Sequence, residues 1–189
     1  MALAAALDEA GIARATIVGH DFGGPISLSL YRKRPDLFAA IALLATNASP
    51  DTPIPFPLSL VKLPVVGNAM ARVMFSAPAL KMMLRMYGGG QLGHASSVRK
   101  TFTTTLQNLD ELYRDYPAIL PTVDVPAIVV WGEKDPFFAV ERGEKIASLL
   151  PDAEFRVLPG AGHFLPEQRP AEVADALLAL IARTTKDRL

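Results

Sequence analysis

The sequence predicts an α/β fold, a parallel sheet flanked by helices with a helical segment inserted between two of its strands. Two observations predict it. Four short apolar runs do not alternate with polar residues, which is typical of strands buried on both faces. Helical patterns alternate with these runs, and this alternation is the pattern of a parallel sheet. A long central stretch without a strand pattern interrupts the alternation and indicates the insertion.

The elements of the sheet part follow one another in a regular order. The chain starts with the end of an amphipathic helix, and the next helix closes with basic residues before Pro35, which ends it. The last helix carries apolar residues at helical spacing. The predicted strands are residues 15–19, 39–45, 126–131 and 154–158, and the predicted helices that follow them are residues 25–34, 140–150 and 170–183.

The insertion covers residues 47–121. It begins with a proline-rich run and continues with two helical stretches rich in Met and Leu, which a triple glycine separates. The sequence therefore predicts a sheet domain, residues 1–46 and 122–189, and a helical domain, residues 47–121. The parts of the insertion are the proline-rich run at 49–57, the helical stretches at 69–87 and 96–116, and the glycines at 88–90.

Composition excludes several classes of function. Nineteen basic residues balance nineteen acidic ones, so the chain has no basic footprint for nucleic acid. The absence of cysteine excludes disulfides, zinc–thiolate sites and cysteine nucleophiles. No apolar run approaches the roughly 20 residues that span a bilayer, and the N-terminus lacks the basic start of a signal peptide. We expect a cytoplasmic protein with no nucleic-acid or membrane partner, no metal and no cofactor.

Three short polar motifs each follow a predicted strand. Gly-His-Asp-Phe-Gly, with Asp21 at its centre, links the first strand to a helix; Trp-Gly-Glu-Lys-Asp ends at Asp135 after the third strand; and Gly-Ala-Gly-His-Phe places His163 after the fourth. The carboxyl ends of parallel strands lie at one edge of a sheet, where α/β proteins gather their functional groups. The sequence therefore predicts a site made of Asp21, Asp135 and His163.

Each of these residues also has a structural interpretation when taken alone. Aspartate before a helix, as at Asp21, is a common N-cap. Asp135 precedes Pro136 and suits the start of a helix, and a single histidine such as His163 is more often structural than catalytic. Their order along the chain and their common place after strands favour a catalytic site.

The turn around Asp21 has the features of a nucleophile elbow. A sharp strand-to-helix turn holds its central residue in a strained backbone conformation and exposes the side chain. Gly19 and Gly23, two residues to either side, allow the strand and the helix to approach closely. The N–H of Phe22 is then the predicted oxyanion-hole donor, and the positive end of the helix lies near the carboxylate.

This arrangement resembles the α/β-hydrolase fold over almost the whole chain, because nucleophile, acid and histidine occur in the chain order of that fold. Asp21 stands where most members have serine, and Gly-His-Asp-x-Gly-Gly resembles the epoxide hydrolases and the haloalkane dehalogenases. The resemblance implies a hydrolase with Asp21, Asp135 and His163 as catalytic residues. It also implies that residues 47–121 are the cap domain.

The resemblance implies an ester on Asp21 that His163-activated water hydrolyses. Opening an epoxide needs an acid, which the resembling hydrolases supply from cap tyrosine, and the candidates are Tyr87, Tyr113 and Tyr116. Dehalogenases commonly have Trp after the nucleophile to bind the halide, whereas the Phe22 side chain has no N–H donor. These features and the apolar cap favour an epoxide hydrolase-like enzyme for a small hydrophobic substrate, with a haloalkane dehalogenase-like enzyme as the alternative.

Asp51 competes with Asp135 for the role of the acid. Some relatives supply the orienting carboxylate after the strand that ends near Ala45, and Asp51 follows that strand at a distance among prolines. Asp135 lies closer behind its own strand, so we prefer Asp135.

The strands that precede the nucleophile strand in the resembling fold, and the His-Gly motif there, are not found in this sequence. We therefore expect an N-terminally truncated chain, the C-terminal part of the α/β-hydrolase sheet, that is poorly active alone. We also expect an exposed apolar edge from Ala15 to Gly19, through which the chain associates with itself or a partner. A non-catalytic remnant or a partner-dependent half-domain is the further alternative.

Overall fold

The computed structural model describes residues 2–51, 54, 56–63, 65–87 and 95–186. The chain divides into two compact units, Met1–Ser49 with Asp115–Leu189, and Pro50–Arg114. The first unit contains the sheet and the second is helical. The triple glycine of the insertion and three residues of its proline-rich run, Thr52, Pro53 and Pro55, lie outside the described residues.

The described residues form four strands and ten α-helices. Strands and helices of the sheet part begin and end within a few residues of the predicted positions. The strands are β1 (Ala15–His20), β2 (Phe38–Leu44), β3 (Ala127–Gly132) and β4 (Ala153–Leu158), and the helices are α1 (Ala2–Glu9), α2 (Gly23–Lys33), α3 (Gly67–Met74), α4 (Ala77–Tyr87), α5 (Ala95–Gln107), α6 (Leu109–Leu112), α7 (Tyr116–Ile119), α8 (Val140–Leu149), α9 (Leu165–Gln168) and α10 (Pro170–Lys186).

The four strands form one parallel sheet in the order β1-β2-β3-β4. The inner strands β2 and β3 are almost entirely apolar and buried, because helices cover both faces of the sheet there. The edge strands β1 and β4 carry more polar residues and are less buried. The α/β fold predicted from the sequence is thereby confirmed.

Helices pack on the sheet as the alternation of elements requires. α2 packs on β1 and β2, α8 on β3 and β4, and α10 on β2 and β3. From α10, Val173, Ala176 and Leu180 enter a core with residues of β2 and β3, and Leu177 packs against it. The helical spacing that indicated this helix rested on Val173, Leu177, Leu178 and Ile181, of which Leu178 and Ile181 are exposed. Among the described residues, the structure contains no helix with the length and apolar character needed to cross a membrane.

Strand β1 lies at an edge of the described sheet. It pairs with β2 on one side, and Val18 in its middle is 45% exposed. An apolar edge strand offers its free N–H and C=O groups to another strand. Association of the chain through this edge stays a prediction.

The second unit is a small helical assembly around its own apolar cluster, formed by Val61, Ala71, Phe75, Leu80 and Leu106. The stretch predicted as one helix over 69–87 is two helices, α3 and α4. The break has a local cause, since Pro78 lacks an N–H and is tolerated only in the first turn of a helix, so a new helix begins at Ala77. The stretch predicted over 96–116 is likewise divided, into α5, α6 and the start of α7.

Candidate active site

The three predicted residues come together at the carboxyl edge of the sheet. Asp21 follows β1, Asp135 follows β3 and His163 follows β4. The His163 ring lies between the two carboxylates. Its Nδ1 is 2.9 Å from Asp135 Oδ2, and its Nε2 is 3.8 Å from Asp21 Oδ1.

Asp21 occupies a strained turn between β1 and α2. Its φ of 49° is in the left-handed region, which a residue with a side chain rarely adopts. Three hydrogen bonds hold this conformation. The Asp21 N–H donates to the Leu44 carbonyl at 3.2 Å, and the Asp21 carbonyl accepts from the Gly24 N–H at 3.1 Å and from the buried Thr46 hydroxyl at 2.5 Å. The N-cap position of α2 is Phe22, with no side-chain capping bond, so Asp21 is not its N-cap.

Two glycines near Asp21 are required by close packing, and only one of them, Gly19, is a glycine that the sequence indicated. A Cβ atom on Gly19 would lie 2.6 Å from the Gly23 carbonyl oxygen, so Gly19 permits the close approach of strand and helix. A Cβ atom on Gly23 would meet no atom within 4 Å, and the expectation that Gly23 must be small is wrong. Gly24 is the second required glycine, because its Cβ would collide with the Thr46 side chain.

We therefore expect Gly19→Ala to destabilise the protein and Gly23→Ala to be tolerated. The methyl group on residue 19 meets rigid backbone, and overpacking of this kind costs about 1–3 kcal/mol. The matched Gly23→Ala variant adds the same methyl group where space is open. Urea denaturation of both variants measures the difference in unfolding free energy. Equal stabilities of the two variants would contradict this account of the turn.

Asp135 is fixed by three donors. Its side chain is fully buried, and Oδ1 accepts hydrogen bonds from the N–H groups of Phe137 at 2.8 Å and Phe138 at 3.0 Å. Its other oxygen, Oδ2, faces His163 Nδ1. Because a carboxylate only accepts, Nδ1 carries the proton in this bond. The lone pair of a neutral His163 is thereby placed on Nε2, the nitrogen that faces Asp21.

His163 is an almost fully buried imidazole, only 4% exposed, among aromatic rings and two acids. The rings of Phe137, Phe138 and Phe164 have their centroids 4.9, 5.5 and 5.2 Å from the imidazole centroid. Burial lowers the pKa of His163, but hydrogen bonds and charges from Asp135 and Asp21 outweigh it and raise the pKa to about 9. The imidazolium is thus stabilised while both carboxylates are charged.

The raised pKa makes stability depend on pH. A histidine whose pKa is higher in the folded state stabilises that state fully below its unfolded value of 6.5, and the contribution is lost as pH rises through about 9. One pKa unit corresponds to about 1.4 kcal/mol. We therefore expect the unfolding free energy of the wild type to fall by about 3 kcal/mol relative to His163→Gln across this range. Urea denaturation at a series of pH values measures it, and parallel curves for the two proteins would contradict it.

The other residues predicted for the site are the oxyanion-hole donor, the three tyrosines and the competing acid, and they lie in different parts of the structure. Phe22 directly follows Asp21 at the start of α2. Tyr116 is buried in the first unit, where its hydroxyl lies 2.9 Å from Ser29 Oγ. Tyr113, also buried, and Asp51 belong to the second unit. The side chain of Tyr87, at the end of α4, lies outside the described residues.

Sequence reasoning missed residues that hold the loop of His163. His20 Nε2 lies 2.8 Å from the His163 carbonyl oxygen. Glu133 accepts a hydrogen bond from the Gly160 N–H at 2.7 Å, and Gln168 accepts one from the Gly162 N–H at 2.8 Å. Glu133 and His20 stand inside the quoted motifs, next to the residues that were singled out, and that proximity was the available signal.

The chain is similar in sequence to known proteins. The sequence pattern described as "Alpha/beta hydrolase family" matches residues 1–176. The uncharacterized hydrolase YugF of Bacillus subtilis is 24% identical over 187 residues, which cover 93% of this chain and 68% of that protein. A 2-hydroxy-6-oxononadienedioate/2-hydroxy-6-oxononatrienedioate hydrolase of Burkholderia vietnamiensis is 24% identical, over 86% of this chain and 60% of that protein.

A solved structure shows the same fold. The haloalkane dehalogenase DbeA from Bradyrhizobium elkani superimposes with a TM-score of 0.74 at 20% identity, over 98% of this chain and 72% of that chain. The chain thus spans about 60 to 70% of the length of the proteins it matches.

Proposed function

Because the chain belongs to the alpha/beta hydrolase family, we propose that it is a hydrolase that uses the Asp21 carboxylate as its nucleophile and opens the epoxide ring of a small hydrophobic molecule. The observation that carries the proposal is the position of His163, between Asp21 at 3.8 Å and Asp135 at 2.9 Å. An aspartate in a strained turn, facing a buried histidine that a second aspartate orients, has the parts of a two-step ester mechanism.

In the first step the Asp21 carboxylate attacks an epoxide carbon. A bond forms between Asp21 oxygen and that carbon, the ring carbon–oxygen bond breaks, and the leaving oxygen takes a proton from an acid. Aspartate is ionised at neutral pH and needs no base for this attack, unlike serine. Asp21 is 29% exposed as a side chain, so the carboxylate is accessible.

In the second step His163 activates water. Nε2 removes a proton from water, and the resulting hydroxide attacks the carbonyl carbon of the ester. The bond between that carbon and the substrate oxygen then breaks, the substrate oxygen takes the remaining proton of the hydroxide, and the diol leaves the Asp21 carboxylate restored. The proton on Nε2 replaces the one that the acid gave to the leaving oxygen in the first step. Esterification removes the negative charge on Asp21, one of the two carboxylates that raise the pKa of His163. The pKa of His163 therefore falls when the ester forms, and Nε2 becomes free to act as the base at the step that needs it.

The side chain next to the nucleophile bears on the choice of leaving group. The Phe22 side chain beside the nucleophile offers no N–H to a halide ion, which favours an epoxide over a haloalkane. Tyr87, Tyr113 and Tyr116 remain the proposed proton donors for the alkoxide. Of these, Tyr116 has its hydroxyl at hydrogen-bond distance from Ser29 within the first unit, so we rank it last.

Haloalkane dehalogenation is the second candidate. The fold of the Bradyrhizobium elkani dehalogenase, with its TM-score of 0.74, supports it. The same ester on Asp21 and the same water activation serve this reaction, with halide in place of the alkoxide. A non-catalytic remnant or a partner-dependent half-domain is the further possibility to be tested.

The test is a reaction screen of the purified chain with styrene oxide, bromo- and chloroalkanes, and a p-nitrophenyl ester. We expect slow formation of diol from styrene oxide by this chain alone, and no diol with Asp21→Asn. Reaction in H₂¹⁸O should place ¹⁸O in the Asp21 carboxylate over several turnovers, because hydroxide attacks that carbonyl. Halide release without diol would favour the dehalogenase. Turnover that survives Asp21→Asn would contradict the proposed nucleophile, and no turnover of any substrate would favour the non-catalytic or partner-dependent chain.

A further inference from the structure

His20 joins the strand of the nucleophile to the loop of the base. It is the last residue of β1 and the immediate neighbour of Asp21. Its Nε2 lies 2.8 Å from the main-chain carbonyl oxygen of His163. A carbonyl only accepts, so Nε2 of His20 carries the hydrogen and donates it. The two imidazole rings also lie close together, with centroids 5.1 Å apart.

Other contacts hold the His163 loop from other directions, and the His163 carbonyl also accepts the Leu165 N–H at 2.9 Å. Glu133, after β3, binds the Gly160 N–H, and Gln168 of α9 binds the Gly162 N–H. Asp135, also after β3, binds the His163 ring itself. These contacts fix the loop relative to β3 and α9. The bond from His20 fixes it relative to β1, and so relative to the residue that carries the nucleophile.

We propose that His20 is a positioning residue that sets the distance between His163 Nε2 and Asp21 through its hydrogen bond to the His163 carbonyl. The inference rests on the proposed function for its kinetic consequence. The attack of Asp21 on substrate does not use His163, whereas hydrolysis of the ester requires Nε2 within reach of a water at the Asp21 carbonyl. Loss of the His20 donor therefore slows the second step selectively.

Two variants separate the hydrogen bond from the ring. His20→Phe keeps a ring of similar size beside His163 and Phe164 but removes the donor, whereas His20→Gln keeps an N–H donor near the position of Nε2. Rapid quench with styrene oxide and intact-mass spectrometry gives the rates of ester formation and ester hydrolysis. For His20→Phe we expect hydrolysis slowed roughly 10- to 100-fold, the cost of a small misplacement, with formation nearly unchanged. His20→Gln should recover most of the rate.

A second readout separates failure of this inference from failure of the proposed function. NMR titration of the His163 ring reports the influence of Asp21 on its pKa without any substrate. A longer distance to Asp21 should lower the titration midpoint in His20→Phe but not in His20→Gln. If the wild type forms no ester, the proposed function fails, and the titration still decides whether His20 positions His163.

Two results would overturn the inference. One is equal slowing of ester formation and ester hydrolysis in His20→Phe, which indicates general damage to the turn. The other is a His163 titration midpoint that is the same in His20→Phe and the wild type. Thermal unfolding followed by circular dichroism checks that each variant folds, and His20→Leu provides a second donor-free variant if His20→Phe does not fold.

Discussion

His163→Gln is expected to stop turnover and to leave substrate bound to Asp21 as an ester. In the proposed mechanism Asp21 attacks without help from His163, but the ester then lacks the base that takes a proton from water. Removal of a positioned general base costs roughly 10²–10⁴-fold in rate. Intact-mass spectrometry after exposure to styrene oxide should show a protein heavier by one substrate molecule, and digestion should place the added mass on the peptide that contains Asp21.

Two variants control this result. The double variant with His163→Gln and Asp21→Asn should show no adduct. It lacks the base, as His163→Gln does, but it also lacks the nucleophile. His20→Gln should turn over and accumulate little ester, since its base is intact. If His163→Gln carries no adduct with a substrate that the wild type hydrolyses, the two-step mechanism is wrong.

The sequence predicted the three central residues because the physical constraint behind them is simple. Parallel strands bring their carboxyl ends to one edge, so residues that follow β1, β3 and β4 lie at the same edge of the sheet. The apolar runs that mark the inner strands β2 and β3 are local and strong. For helix α10 the spacing indicated the helix but not its buried face, which is formed by Val173, Ala176 and Leu180. The direction of the strands and the order of the three residues along the chain were enough to predict that Asp21, Asp135 and His163 belong to one site.

Sequence reasoning failed where a requirement comes from a distant residue. Gly23 was chosen by its spacing from Asp21, but the glycine that must be small there is Gly24, which packs against Thr46 after β2. The contact of His20 with the His163 carbonyl joins residues 143 positions apart, and no local pattern reveals it. The break between α3 and α4 is a different case, since Pro78 was visible and its effect on the helix start was overlooked.

Asp135→Asn is expected to lower the rate of ester hydrolysis by about 10⁴-fold without unfolding the protein. The asparagine carbonyl oxygen can still accept the N–H groups of Phe137 and Phe138, which preserves the turn. Its NH₂ group then faces His163 Nδ1, which must accept rather than donate. A neutral His163 therefore carries its proton on Nε2, where it no longer has a lone pair to take a proton from water. Single-turnover kinetics with styrene oxide measures the loss, and the ester on Asp21 should accumulate.

Asp51→Asn is the matched control, because it makes the same chemical change at the competing acid in the second unit. We expect Asp51→Asn to keep nearly the full rate, since the carboxylate within 2.9 Å of His163 Nδ1 is that of Asp135. The two variants should also differ in the NMR titration of His163. Loss of the Asp135 charge removes a main cause of the raised pKa, so the midpoint should fall in Asp135→Asn and stay in Asp51→Asn. A large rate loss in Asp51→Asn with a small one in Asp135→Asn would assign the acid to Asp51 instead.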